Sequence, residues 1–189
     1  MFSIFSFLNC TDVLRDSWYP KSGLFHWAGD ASTFKGGASS SFIEIVCSPN
    51  NPDGATRRAV LDSEASKRVH DLAYYWPQYT PMHGQTNNDI MLFTVSKATG
   101  HAGKQIRWVL VKDADIARKT IKFIEMNSIG VSADSQVCAA RILPVVFDSY
   151  ELSASNGVSR LFHFSWCLLA DRWWRFCQAV KESAHFSLP

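Results

Sequence analysis

Three short polar groups in this chain each close an apolar run, and together they hold the side chains able to do chemistry. Asn50-Asn51-Pro52-Asp53-Gly54 follows the run Phe42 to Val46, His70-Asp71-Leu72-Ala73-Tyr74-Tyr75 closes a second, and Thr94-Val95-Ser96-Lys97 closes a third. The residue types are complementary. An aspartate held against a ring nitrogen keeps a pyridinium protonated, an amide and a phenol can hold a ring hydroxyl, and a lysine can form a Schiff base. Each group has a plainer reading: Asn-Asn-Pro-Asp-Gly is usually only a turn, Asp-x-Ala-Tyr arises by chance, and Ser-Lys after a strand is commonly a solvated strand end. Their order and their shared context favour chemistry, because ligand sites in open α/β sheets gather at the carboxyl ends of strands.

The elements that must position these groups follow from the pattern around them. Phe42-Ile-Glu-Ile-Val46 reads as a buried strand, and Ser48 to Gly54 as turn chemistry, with room for a helix to begin beyond Thr56. The runs Arg68 to Ala73, Ile90 to Val95 and Ile106 to Val111 have strand length. From Asp113 to Asn127, Ile116, Ala117, Thr120, Ile121 and Ile124 recur on one side at helical spacing, which predicts an amphipathic covering helix. Ser132 is positioned as the N-cap of a second helix towards Tyr150, which Pro144 should kink or shorten. A third helix is expected from about Ser159 to Ser183, its Trp166, Trp173 and Trp174 serving packing rather than binding. The first forty residues, broken by Pro20, Gly23, Gly29 and Gly36 to Ser41, read as loop with short strands.

Composition narrows the class. The chain has 189 residues, 47% of them hydrophobic and 19% charged, with a net charge of +2. That is a globular composition, and the scattered basic residues argue against nucleic acid or an anionic membrane as partner. The apolar opening from Met1 to Leu8 is too short to span a bilayer and lacks a basic leader region, so it reads as a packed or frayed end. Cys10, Cys47, Cys138, Cys167 and Cys177 form no Cys-x-x-Cys pair, which points to a reducing, cytoplasmic setting. No pair among His70, His83 and His101 has helical ligand spacing, so no metal site is expected. His101 is expected to be structural; His70 reads either as support for Asp71 or as a buried, satisfied histidine.

Taken at full length, these motifs resemble the plant alliinase and tryptophan aminotransferase family. The resemblance rests on Ser48 to Gly54, on His70-Asp-Leu-Ala-Tyr-Tyr-Trp-Pro77 and on Asp89 to Gly103. It extends from Lys21 to Asp30, through Asn127 to Ser132 and Ser135-Gln136, to Phe186-Ser-Leu-Pro189. It implies an α/β fold: a mainly parallel sheet flanked by helices, part of a fold-type-I large domain, followed by helices leading into an incomplete small domain. The implied division is an unassigned segment at 1–20, a partial cofactor-binding large domain at 21–130, and a helical connection with the start of the small domain at 131–189. The implied cofactor is pyridoxal 5'-phosphate. Lys97 would carry its Schiff base and shuttle a proton, Asp71 would pair with the pyridinium nitrogen, and Asn51 and Tyr74 would contact the ring oxygen. Thr94 and Ser96 would touch the phosphate, with Gly100 and Gly103 letting the backbone run close.

The implied activity is transfer of an amino group from L-tryptophan or a related aromatic amino acid to a 2-oxo acid, as in auxin synthesis through indole-3-pyruvate. Two alternatives stand beside it: carbon–sulfur lyase action of the alliinase type, and a non-catalytic truncated fragment. The family also implies a homodimer, or association with a full-length relative. One departure bears on all of these. Where the family usually carries an arginine that clamps the phosphate, eight residues after the lysine, this chain has Gln105; Lys104 and Arg107 flank it, and Arg107 replaces a usual glycine. A neutral amide there forfeits a charge-assisted bond worth roughly 1.5 to 3 kcal/mol.

Overall fold

The computed structural model describes residues 2–6, 23–34, 41–61, 66–82, 87–151 and 160–188, with the side chains of 2–6 and 149–151 outside that description. Most of the N-terminal segment 1–20, the stretch Gly36 to Ser40, His83 and Cys10 therefore lie outside the described residues.

One sheet organises the chain. Its strands are β1 (Phe2–Ser6), β2 (Phe25–Gly29), β3 (Phe42–Cys47), β4 (Lys67–Asp71), β5 (Ile90–Thr94) and β6 (Arg107–Val111). They lie in the order β2-β1-β3-β4-β5-β6. The first five run parallel, and β6 alone turns back antiparallel to β5. The expected mainly parallel α/β sheet is what forms. Its helices are the single turn α1 (Val95–Ala98), then α2 (Ala114–Asn127), α3 (Ala133–Glu151) and α4 (Leu161–Lys181).

Strand β3 is central and buried. Phe42, Glu44 and Val46 alternate onto one face and are 3%, 0% and 0% exposed, so the lone acid in Phe-Ile-Glu-Ile-Val points into the core with its apolar neighbours. On that side Ala31 and Phe42 form a small core against Ala28, Phe34 and Leu61. Glu44 is satisfied by backbone: its two carboxylate oxygens accept the N–H groups of Val60 at 2.8 Å and Leu61 at 3.1 Å. Arg68, beside Glu44 in register on β4, donates to the Leu61 carbonyl at 2.7 Å.

No helix forms within the described residues 56–61; the chain runs back irregularly there, with the Val60 and Leu61 N–H groups bonded to Glu44. Pro144 does not end its helix either, since α3 continues through it to Glu151. The starts of α2 and α3 are capped, at Ser132 as expected. Asp113 caps α2 through the N–H groups of Asp115 and Ile116, and Ser132 Oγ accepts from Ser135 N–H at the start of α3. On α2, Ile116, Ala117 and Thr120 are half-buried, whereas Ile121 and Ile124 are exposed beside an apolar groove also lined by Met91, Val109 and Leu110.

The tryptophans of α4 are less buried than expected: Trp166, Trp173 and Trp174 are 53%, 61% and 62% exposed, with Trp166 stacked on His163 and Trp173 on Phe176. The start of α4 is anchored, because Phe162 stacks on Trp76, which meets Phe93 and Trp108 edge-on. Among the described residues no helix is long and apolar enough to cross a membrane.

Candidate functional site

Register brings the three polar groups to one edge of the sheet. Cys47 on β3, Asp71 on β4 and Leu92 on β5 are level with one another, so the chain leaves β3 at Ser48 and β4 at Leu72 side by side, and β5 runs on to Thr94. Backbone bonds seal the junctions: Ser48 N–H donates to Asp71 O, and Leu72 N–H to Leu92 O.

The first group is a self-built turn that leaves Asn51 outward. Asn50 is buried and donates its amide to Asp53 Oδ1, Gly54 N–H donates to Asn50 O, and Arg57 pairs with Asp53 at 2.6 Å. Gly54 takes a left-handed φ of 67°, which explains the glycine. The Ala55 N–H, then the Asn50 amide and the Arg57 guanidinium, hold the Asp53 carboxyl below the usual carboxylate range. Asn50 and Asp53 thus serve the turn, and Asn51 is left exposed, its amide donating to the Tyr74 hydroxyl at 3.4 Å.

The second group begins with Asp71 at the last position of β4, where its Oδ1 accepts the Ala73 N–H at 3.0 Å. Tight turns follow, placing Tyr74 edge-on to Tyr79. His70 is half-buried, and its Nδ1 has no hydrogen-bond partner among the described residues. Burial, and then the charge of Arg68, hold the His70 imidazole below its ordinary range, against an opposing pull from Asp89.

The third group supplies the amine. Thr94 caps α1 by accepting the Ser96 N–H, and Lys97 sits on that single turn with its Nζ 5.0 Å from the centre of the Tyr74 ring. The Tyr74 phenol, as hydrogen-bonding neighbour and then as charge partner, raises the Lys97 pKa above the ordinary lysine value. Asn51, Tyr74 and Lys97 therefore converge, with Asp71 at the end of the strand that leads to Tyr74.

Other expected residues are placed differently. The Thr94 hydroxyl is buried and committed to Ile106 O as donor and Ser96 N–H as acceptor, and Ser96 enters through its backbone. Gln105 lies in the left-handed region at φ 54°, its amide turned back onto Ala102 O at 3.0 Å. Lys104 pairs with Asp134 at 2.7 Å, and Arg107 lies opposite Thr94 on the edge strand. His101 takes a local role, 2.9 Å from the Thr99 hydroxyl. Gly100 adopts a left-handed φ of 78°. Among the described residues no three His, Cys, Asp or Glu side chains are grouped to hold a metal.

Two residues that sequence reading passed over matter to this site. Glu44 pins the segment that returns from the Asn51 turn, and an acid alone in an apolar strand is a visible signal. Gln78, 6% exposed, donates its amide to the carbonyls of Lys97 and Ala98, and nothing local in the sequence announces that contact.

The donor set fits pyridoxal phosphate in chemical type. An amide, a phenol and an amine meet at an accessible strand-end surface with a carboxylate beside them, while the phosphate side is weaker because Gln105 and Thr94 are turned to local carbonyls.

Comparison with known proteins agrees with the motif resemblance. Tryptophan aminotransferase-related protein 2 of Oryza sativa subsp. japonica is 54% identical over 187 residues, covering 95% of this chain and 35% of its own length. Its Arabidopsis thaliana namesake is 50% identical over 169 residues, covering 89% of this chain. Alliin lyase of Allium cepa var. aggregatum is 35% identical over 175 residues, covering 92% of this chain and 38% of that enzyme. The chain spans roughly a third of the length of these curated relatives. Among solved structures, L-threonine-O-3-phosphate decarboxylase from Porphyromonas gingivalis shares the fold at a TM-score of 0.61 and 16% identity, over 96% of this chain and 55% of that one. The Alliinase_C family model, described as Allinase, matches residues 10–189, and the chain therefore belongs to the alliinase family.

Proposed function

We propose that this chain is the lysine-bearing core of a pyridoxal-phosphate-dependent aminotransferase acting on L-tryptophan or a related aromatic amino acid, with a 2-oxo acid as acceptor. The observation that carries it is the convergence of Asn51, Tyr74 and Lys97 at the carboxyl ends of parallel strands. The substrate class is supported by the tryptophan aminotransferase-related relatives, which are more similar to the chain than the alliin lyase compared above. When bound, the cofactor supplies an aldehyde carbon and an electron-accepting ring. Asn51 and Tyr74 would hold the ring oxygen, and Asp71 would keep the proton on the ring nitrogen. Lys97 would attach the cofactor and move a proton at the substrate α-carbon. Its raised pKa favours the charged amine, so the amine must release a proton to solvent before it can act as a nucleophile.

A second reading, a cofactor-binding chain without turnover of its own, is favoured by Gln105, whose amide is turned onto Ala102 O rather than outward. The two readings separate in one series. The purified chain is mixed with pyridoxal phosphate, reduced with borohydride and mapped by mass spectrometry, with Lys97→Ala as control. The proposal expects a pyridoxyl group at residue 97 and amino transfer from tryptophan to pyruvate. Modification at 97 without transfer supports the second reading, cleavage of alliin in place of transfer supports a lyase, and no modification at 97 refutes all three.

A further inference from the structure

The side chain of Gln78 lies in the core, 6% exposed, yet it belongs to neither strand nor helix. Its Nε2 donates to Lys97 O at 3.0 Å and to Ala98 O at 3.2 Å. Two carbonyl oxygens can be met only by the NH₂ end of the amide, which fixes its orientation. The other end bears the cost: Oε1 is buried with no hydrogen-bond partner among the described residues. A buried amide that leaves its acceptor unmet is retained most readily where its donors do something specific.

That task is visible in α1. A helix of four residues ends before its last carbonyls find following N–H groups; among the described residues, Val95 O is the one met by a following backbone N–H, that of Thr99. The Gln78 amide supplies the missing donors, and the carbonyls it meets belong to Lys97 itself and to the next residue. Gln78 comes from the loop that carries Tyr74, four residues earlier, and that loop is stiffened by bonds from Tyr75 N–H to Leu72 O, Tyr79 N–H to Trp76 O and Trp76 Nε1 to Ala73 O. One rigid loop therefore supplies both the ring beneath the Lys97 amine and the amide that grips the Lys97 backbone.

We infer that Gln78 is a positioning residue, setting the Lys97 amine over the Tyr74 ring by holding the end of the one-turn helix. The inference rests on the proposed role of Lys97 for its consequence, but its test does not. Because Nζ stands over the Tyr74 ring, the Lys97 ε-methylene carries a ring-current shift in NMR, assignable by its loss in Lys97→Arg. Gln78→Met removes the donors at similar volume, whereas Gln78→His places a ring N–H at similar reach. The expected result is loss of the shift in Gln78→Met and its retention in Gln78→His, at unchanged far-ultraviolet circular dichroism. Borohydride-trapped pyridoxal phosphate at residue 97 should fall on the order of tenfold in the Met variant, which loses two hydrogen bonds but also the unmet Oε1. If the Met variant does not fold, Gln78→Asn, which withdraws the amide by one methylene, must give the same loss. A shift that persists in both Met and Asn variants overturns the inference, as does collapse of all three variants. A wild-type chain that shows the shift but traps no cofactor would refute the proposed function and leave Gln78 decided by the NMR result alone.

Discussion

Glu44→Gln tests how the Asn51 turn is held. In the wild type both carboxylate oxygens, wholly buried, accept backbone N–H groups of a segment with no other regular structure. A carboxamide keeps one acceptor and turns its NH₂ towards the other N–H, so one charge-assisted bond is lost and a donor is left facing a donor. Bonds to charged groups contribute roughly 1.5 to 3 kcal/mol each. Val60 is 52% exposed, so water can reach the released N–H, which puts the cost at the lower end, about 2 kcal/mol. For a chain of this size that is a fall of about 4 to 8 °C in melting midpoint. Thermal melting followed by circular dichroism gives the midpoint, and amide hydrogen exchange locates the change: Val60 and Leu61 should exchange faster, while β3 and β4 stay protected. An unchanged midpoint with unchanged exchange at Val60 and Leu61 would refute the clamp. Uniformly faster exchange across the sheet would show Glu44 to be a general core residue.

Gln105→Arg should tighten pyridoxal phosphate but not pyridoxal, by about 10- to 100-fold if the guanidinium gains one charge-assisted phosphate bond; equal affinity changes for the two ligands would count against a phosphate role at this position. Tyr74→Phe removes the main partner that raises the Lys97 pKa, so the midpoint of the amine titration, followed by NMR of the lysine ε-carbon, should move to lower pH. His70 is held below its ordinary value of 6.5, so the unfolded chain binds the proton more readily. Stability should therefore fall as pH drops below about 6.5, and His70→Asn should flatten denaturant midpoints over that range; a variant with the wild-type slope would exclude His70 as the source.

Much of the site was legible because it is local. The motif residues Asn51, Asp71, Tyr74 and Lys97 follow apolar runs of strand length, and parallel pairing then makes their meeting nearly automatic, since residues that end neighbouring strands in register must share an edge. The Ser132 cap was legible for the same reason: its hydroxyl bonds an N–H group three residues ahead. Gln105 could be seen as a departure from the sequence, yet its left-handed backbone and its bond to Ala102 appear only in the folded chain.

What the tertiary structure decided depends on partners distant in sequence. Within residues 56–61, Glu44, sixteen positions upstream of Val60, takes the N–H groups of Val60 and Leu61 and pins an irregular stretch. Gln78 lies nineteen positions before the carbonyl it meets, so no spacing rule reaches it. The tryptophans of α4 read as core from hydrophobicity alone, and only the placement of the helix shows Trp173 and Trp174 exposed. Periodicity and caps act over one or two turns, so sequence by itself determined the strands β3 to β6, the three long helices and the candidate chemical groups. Which buried polar side chain holds which loop is a question of long-range pairing, and the fold alone settled it.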